Sequence, residues 1–237
     1  MLLSVTNMNH TSKKIIGSPE WESTDGLVVD DAAFERIKNL YTAQLIIPDQ
    51  IPERQFFLCP IGLVGAGKTT VIKPLAEHFH LVRISTDEIR KLLQEQGYNH
   101  VKTAELAYSI ISDFAKKGYG VAVDADCAGN NVAGSIRQAA KAIVAKIAWI
   151  HINSPEDFIL QKLRNFKHTW LFKNADEAIA SYYCRKPLHE HLDFPFLYTF
   201  NTSHSDLPRQ LEDAIGIIEV FLKDESSNLT HEPLPSS

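Results

Sequence analysis

Three glycines, a lysine and a threonine stand in the run Gly62-Leu-Val-Gly-Ala-Gly-Lys-Thr69, at the spacing G-x-x-x-x-G-K-[ST]. Residues of these types at this spacing hold phosphate. Gly62, Gly65 and Gly67 permit backbone conformations and close approaches that a Cβ would obstruct. Successive N–H groups, that of Ala66 included, can then turn inward as an anion-binding nest. A helix beginning at the end of the loop adds its positive pole. Lys68 puts a point charge on the β- and γ-phosphates, Thr69 offers a hydroxyl to Mg²⁺, and Thr70 can donate to the α-phosphate. The expected cofactors are therefore ATP and Mg²⁺.

A second group follows in Ser85-Thr-Asp-Glu-Ile-Arg90. Asp87 can accept a proton from an acceptor hydroxyl, or orient that hydroxyl in line with the γ-phosphate. Arg90 lies one helical turn on, so both side chains can face one cleft. Asp124 ends the apolar run Tyr119–Val123 and can hold Mg²⁺ through water. Asp126 either shares that role, touches substrate, or is a solvated turn residue. A basic stretch from Leu163 to Lys173 supplies positive charge for a lid over the transferring group. Arg164 is its first candidate, with Lys167 and Lys173 as alternates. The bland reading of that stretch is an exposed basic helix.

Gly62–Thr69, Ile84-Ser-Thr-Asp-Glu-Ile-Arg90 and Gly120-Val-Ala-Val-Asp-Ala125 occur in an order that resembles the P-loop kinases related to polynucleotide kinase and zeta toxins. These often appear as ATP-binding or AAA family proteins. The resemblance runs over about residues 55 to 220. It implies that Asp87 is the catalytic base, that Arg90 contacts substrate or phosphate, and that Asp124 is the strand-end aspartate. It also implies that Arg137 binds substrate, although a surface position on its helix is an equal reading. Relatives often carry a second arginine near Phe166-Lys167, and a lysine lacks the planar fork of arginine.

Elements that must position these groups alternate along the chain. Strands are predicted over Gln55–Ile61, Leu81–Ser85, Tyr119–Asp124, Ile147–Asn153 and Leu197–Asn201. Helices are predicted over Thr69–His80, Thr86–Gln96, Ala104–Lys117, Val132–Ala145, Pro155–Lys167 and Leu207–Lys223. Ser154 reads as the cap of the fifth of these helices, with Pro155 at its first position. The alternation predicts an α/β, three-layer P-loop NTPase fold with a mostly parallel five-stranded sheet and helices on both faces. Pro60 inside the leading strand is tolerable at a strand end. Residues 1–48 read as an N-terminal extension with one helix, where Phe34, Ile37, Leu40 and Tyr41 fall at helical spacing. Residues 49–223 form the kinase-like domain and 224–237 a tail.

The bulk properties narrow the function classes. Net charge is −5 over 237 residues, which argues against broad, salt-driven adhesion to nucleic acid and favours a small acceptor. Cys59, Cys127 and Cys184 form neither a disulfide framework nor a zinc spacing, as expected in the cytoplasm. No apolar run reaches the roughly 18 residues needed to span a bilayer. His189-Glu-His191 lacks a third metal ligand and reads as surface or loop. Trp170, Phe172, Tyr182 and Tyr183 read as packing residues of a helical lid. Asp126-Cys-Ala-Gly129 fits a GTPase D-x-x-G, but no N-K-x-D sequence follows.

The sequence therefore predicts a kinase that passes the γ-phosphoryl of Mg·ATP to a hydroxyl of a small molecule, nucleotide or nucleic acid. Two alternatives remain open. One is an ATP-binding regulator with slow hydrolysis, and the other is a zeta-toxin-like kinase of a sugar nucleotide.

Overall fold

Side chains of the central strand point alternately into two separate cores, and the rest of the architecture follows from this. In the computed structural model, which describes residues 25–165, 167 and 171–224, strand β1 spans Phe56–Ile61. Phe57, Cys59 and Ile61 face one core, while Phe56 and Leu58 face the other. A strand buried on both faces cannot alternate apolar with polar, so it reads as an unbroken apolar run.

Strands β2 (Val82–Ser85), β3 (Val121–Asp124), β4 (Lys146–Ile152) and β5 (Tyr198–Phe200) complete a five-stranded parallel sheet of order β2-β3-β1-β4-β5. Among the described residues there are eight helices: α1 (Asp31–Thr42), α2 (Lys68–His78), α3 (Thr86–Glu95), α4 (Thr103–Lys116), α5 (Asn130–Ala142), α6 (Glu156–Arg164), α7 (Ala175–His189) and α8 (Leu207–Lys223). Helices α1, α3, α4 and α5 cover one face, and α2, α6, α7 and α8 cover the other. The predicted fold class is thus observed, with the whole sheet parallel.

Two local readings change. Helix α7 was not predicted as an element, and it carries Pro187 in its last turn. Helix α6 begins at Glu156 with Pro155 as its cap residue, and Ser154 makes no cap bond. Its hydroxyl is engaged with the phosphate loop instead. Helix α1 packs into the same core as β2 and α3, through Val29, Ala33, Ile37 and Tyr41. Pro60 lies beyond the last β1–β3 pair, so its missing N–H breaks no ladder bond there, and its carbonyl accepts from Cys127. The three cysteines are free thiols. Among the described residues no helix is long and apolar enough to cross a membrane.

Candidate active site at the carboxyl edge of the sheet

The loop between β1 and α2 is built from its glycines outward. Gly65 and Gly67 have φ of 80° and 98°, in the left-handed region where a Cβ is strained. A Cβ on Gly67 would also stand 2.6 Å from Thr202 Oγ1, and one on Gly62 would stand 2.7 Å from the Ile152 carbonyl. The Ala66 carbonyl accepts from Thr202 Oγ1 at 2.7 Å and from Ser154 Oγ at 3.2 Å. Holding that carbonyl on the β4–β5 side directs the N–H of the same peptide, that of Gly67, the other way. Lys68 Nζ donates to the carbonyls of Gly62 and Leu63, at 2.9 and 3.0 Å, and so lies along the loop. Thr70 is exposed at the first turn of α2, with its N–H on the Gly67 carbonyl.

Thr69 and Asp124, distant in sequence, meet at this edge. Thr69 Oγ1 donates to Asp124 Oδ1 at 3.0 Å. The other carboxylate oxygen accepts from Arg83 Nη1 at 2.7 Å, and Arg83 Nη2 also pairs with Glu88. Asp124 is buried, and burial pushes its carboxyl above the usual range; Arg83 and Thr69 offset only part of this. A hydroxyl beside a carboxylate is the oxygen donor set that Mg²⁺ takes when waters and phosphates complete its shell. The residues present therefore fit the ion.

Asp87 stands in the first turn of α3, exposed, with Oδ1 accepting from Arg90 Nη1 at 2.9 Å. Ser85, two residues before Asp87, is the register partner of Asp124, so the two acids stand on one edge of the sheet. Ser85 Oγ caps α3 by accepting from the Glu88 N–H at 3.5 Å. The turn that presents Asp87 is also held by Tyr41, whose hydroxyl accepts from the Ser85 N–H at 2.8 Å. Arg90 faces His100, whose imidazole is pushed down by burial and by the Arg90 charge.

Asp126 is not a solvated turn residue. Its side chain is 6% exposed, and it accepts from Arg185 and His189 at 3.1 Å each. A carboxylate only accepts, so His189 must present Nε2–H to it. Oδ1 also receives the N–H of Gly62 at 3.4 Å and that of Ala128 at 3.3 Å. Burial pushes the Asp126 carboxyl up, but the His189 hydrogen bond and the charges of Arg185, His189 and Lys68 outweigh it and hold it at about 2. His189, read from sequence as a surface residue, ties α7 to the strand end. Neither Arg185 nor His189 was singled out as a partner of Asp126, because the contact spans some sixty residues.

Arg164 is the last residue of α6, exposed, and next to Leu163, whose side chain packs against Gly65 of the loop together with Ile159. Its position is thus beside the loop. Lys167 is exposed, and Lys173 pairs with Asp25 at 3.4 Å. Phe166 and Trp170 lie outside the described residues. Phe172 and Tyr182 are buried as packing residues, and Tyr183 lies edge-on to Tyr182. Among the described residues no contact brings Arg137 to the loop; its guanidinium lies over the rings of Trp149 and Phe194, at 5.5 and 5.3 Å. A cavity of about 440 Å³ opens between Leu63, the end of β4, α6 and α7, with Lys186 and Glu156 paired on its wall.

A parallel sheet of this order, with a glycine-rich loop leaving its central strand and a Lys-Thr pair opening the next helix, defines a P-loop NTPase-type fold. Residues 58–170, the segment that carries the loop, Asp87 and Asp124, match the family described as an AAA domain. The fold is shared with a chain from the PezAT chromosomal toxin–antitoxin system of Streptococcus pneumoniae, at 14% identity and TM-score 0.51, over 82% of this chain and 98% of that one. APE1195 is similar at 12% identity and TM-score 0.54, over 73% and 100%. The APS kinase CysC of Mycobacterium tuberculosis, solved with AMPPNP and APS, aligns at 15% identity and TM-score 0.48, over 71% and 99%. No curated protein matches the chain.

Proposed function

We propose that this protein is an ATP-dependent phosphotransferase that moves the γ-phosphoryl of Mg·ATP to a hydroxyl of a small acceptor. The observation that carries the reading is the 3.0 Å pair between Thr69 and Asp124 at the mouth of the phosphate loop, with Asp87 on the same sheet edge. A loop that only bound phosphate would not need an acid beyond that pair. In this reading Gly62, Gly65, Ala66, Gly67, Lys68, Thr69 and Thr70 hold the triphosphate. Bound Mg²⁺ would neutralise charge between the β- and γ-phosphates, held on Thr69 and, through water, on Asp124.

Asp87 orients the acceptor hydroxyl and takes its proton, while Arg90 holds the Asp87 carboxylate and contacts the acceptor. Arg164 brings positive charge to the transferred group from the end of α6. Net charge of −5 points away from nucleic acid.

The test is incubation of the purified chain with Mg·ATP, alone and with pooled hydroxyl compounds of the cell, followed by mass spectrometry. The proposal expects a phosphorylated product that disappears with Lys68→Ala. ATP consumption that is independent of acceptor, with no phosphorylated product, would instead make the protein a slowly hydrolysing regulator.

A further inference from the structure

Helix α1 lies outside the residues that match the AAA family, yet its Tyr41 is buried against the active edge. The Tyr41 hydroxyl accepts from the Ser85 N–H at 2.8 Å and is within 3.3 Å of the Ser85 carbonyl and 3.4 Å of Glu88 Oε2. Glu88 Oε1 pairs with Arg83 Nη2, and Arg83 Nη1 reaches Asp124 Oδ2 at 2.7 Å. Asp124 Oδ1 then receives Thr69 Oγ1 at 3.0 Å. Five side chains from α1, α3, β2, β3 and α2 are thus joined without a gap. Ser85 is also the register partner of Asp124 across the β2–β3 pair.

We propose that Tyr41, Glu88 and Arg83 form a relay that sets the Asp124 carboxylate, with Arg83 as its positioning residue and Tyr41 anchoring the relay from helix α1. This inference rests on the reading of Thr69 and Asp124 as the Mg²⁺ end of the site.

A carboxylate can rotate about its last single bond, and only a partner on each oxygen fixes it. Thr69 alone constrains one oxygen. Arg83 takes the other, and its planar fork lets one guanidinium hold Asp124 and Glu88 together. Lysine offers a single charge and cannot bridge both acids in the same plane. Glu88 is otherwise exposed on α3, so its second oxygen needs an anchor, and Tyr41 is the group beside it. Partners of this kind, behind a metal ligand, orient the ligand and thereby set metal affinity.

The experiment is a fluorescence titration of the full chain with N-methylanthraniloyl-ATP, in Mg²⁺ and again in EDTA. The parent chain is compared with Arg83→Gln, Arg83→Lys and Tyr41→Phe. Removing the fork in Arg83→Gln should lower the Mg²⁺-dependent gain in affinity by about tenfold, and Arg83→Lys should lower it less. Tyr41→Phe, which deletes one oxygen and keeps the ring, should lower it by roughly threefold. Binding in EDTA should be the same for all four. A relay that served only folding would lower melting temperatures and leave the Mg²⁺-dependent gain at its parent value in every variant, which would overturn the proposal. If Arg83→Gln fails to fold, Tyr41→Phe decides alone. A parent chain with no Mg²⁺-dependent gain would overturn the Mg²⁺ assignment itself, a result distinct from unchanged variants of a responsive parent.

Discussion

Asp124 and Asp126 stand two residues apart at the end of β3, both buried, and their surroundings pull them in opposite directions. At Asp124 burial wins: Arg83 and Thr69 are its partners, and its carboxyl stays above the usual range. At Asp126 the partners win: Arg185, His189 and two backbone N–H groups converge on it, and its carboxyl is held at about 2. A carboxylate so fully committed to protein cations has little left for a metal or a substrate. The β2–β3 side of the edge therefore reads as the side for chemistry, and the α7 side as a structural clasp that ties α7 to the first glycine of the loop. Asp126, a substrate-binding candidate from the sequence, is thus held by Arg185, His189 and the N–H groups of Gly62 and Ala128.

The largest expected effect breaks the chemistry and spares the clasp. Lys68→Ala should reduce phosphoryl transfer by at least about a thousandfold, since it removes the charge on the transferring group. Urea unfolding should find its stability near that of the parent, because its two bonds are to loop carbonyls that water can also satisfy.

Asp126→Asn should do the reverse. It should cost about 2 kcal/mol at neutral pH, from the lowered carboxyl, and lower the melting point by roughly 4–8 °C in calorimetry. Asp124→Asn should stay within about 1 kcal/mol of the parent, because Arg83 keeps Glu88 and no depressed carboxyl is lost. Equal losses at the two positions would erase the distinction drawn here.

The pH dependence sharpens it. The folded-state value of Asp126 is below the ordinary one, so its contribution is fully present above about pH 4 and is lost as pH falls towards 2. The stability gap between the parent and Asp126→Asn should be full at pH 5 and close between about pH 4 and 2, followed by urea unfolding at each pH. Smallest of all, Thr202→Val removes one donor from the Ala66 carbonyl while Ser154 remains. It should cost about 1 kcal/mol, read by thermal melting.

What was legible in the sequence was local. The run Gly62–Thr69 and the apolar segment before it announced loop, strand and helix together, because each glycine and the Lys-Thr pair serve one backbone structure. Asp87 was legible because it sits where a strand gives way to a helix, and Asp124 because it ends an apolar run. Pairings over long separations were not. Arg83 looked like an ordinary strand residue, and its two acids lie 5 and 41 positions away. Tyr41 fell at helical spacing with Phe34, Ile37 and Leu40, but nothing nearby revealed what its hydroxyl would meet 44 residues on. Ser154 stood before a proline and so resembled a helix cap, whereas its true partner is the loop carbonyl 88 residues earlier. Helix α7 was obscured by Pro187 and by tyrosines that pack in pairs instead of along one stripe.

The central claim is that Asp87 serves the acceptor and not the nucleotide. Phosphoryl transfer by Asp87→Asn, measured in a single turnover with γ-labelled ATP, beside its ATP affinity by calorimetry, tests it most directly. The account predicts transfer lowered by at least about a hundredfold with ATP affinity within about twofold of the parent. Transfer at the parent rate, or loss of transfer that merely follows loss of ATP binding, would contradict it.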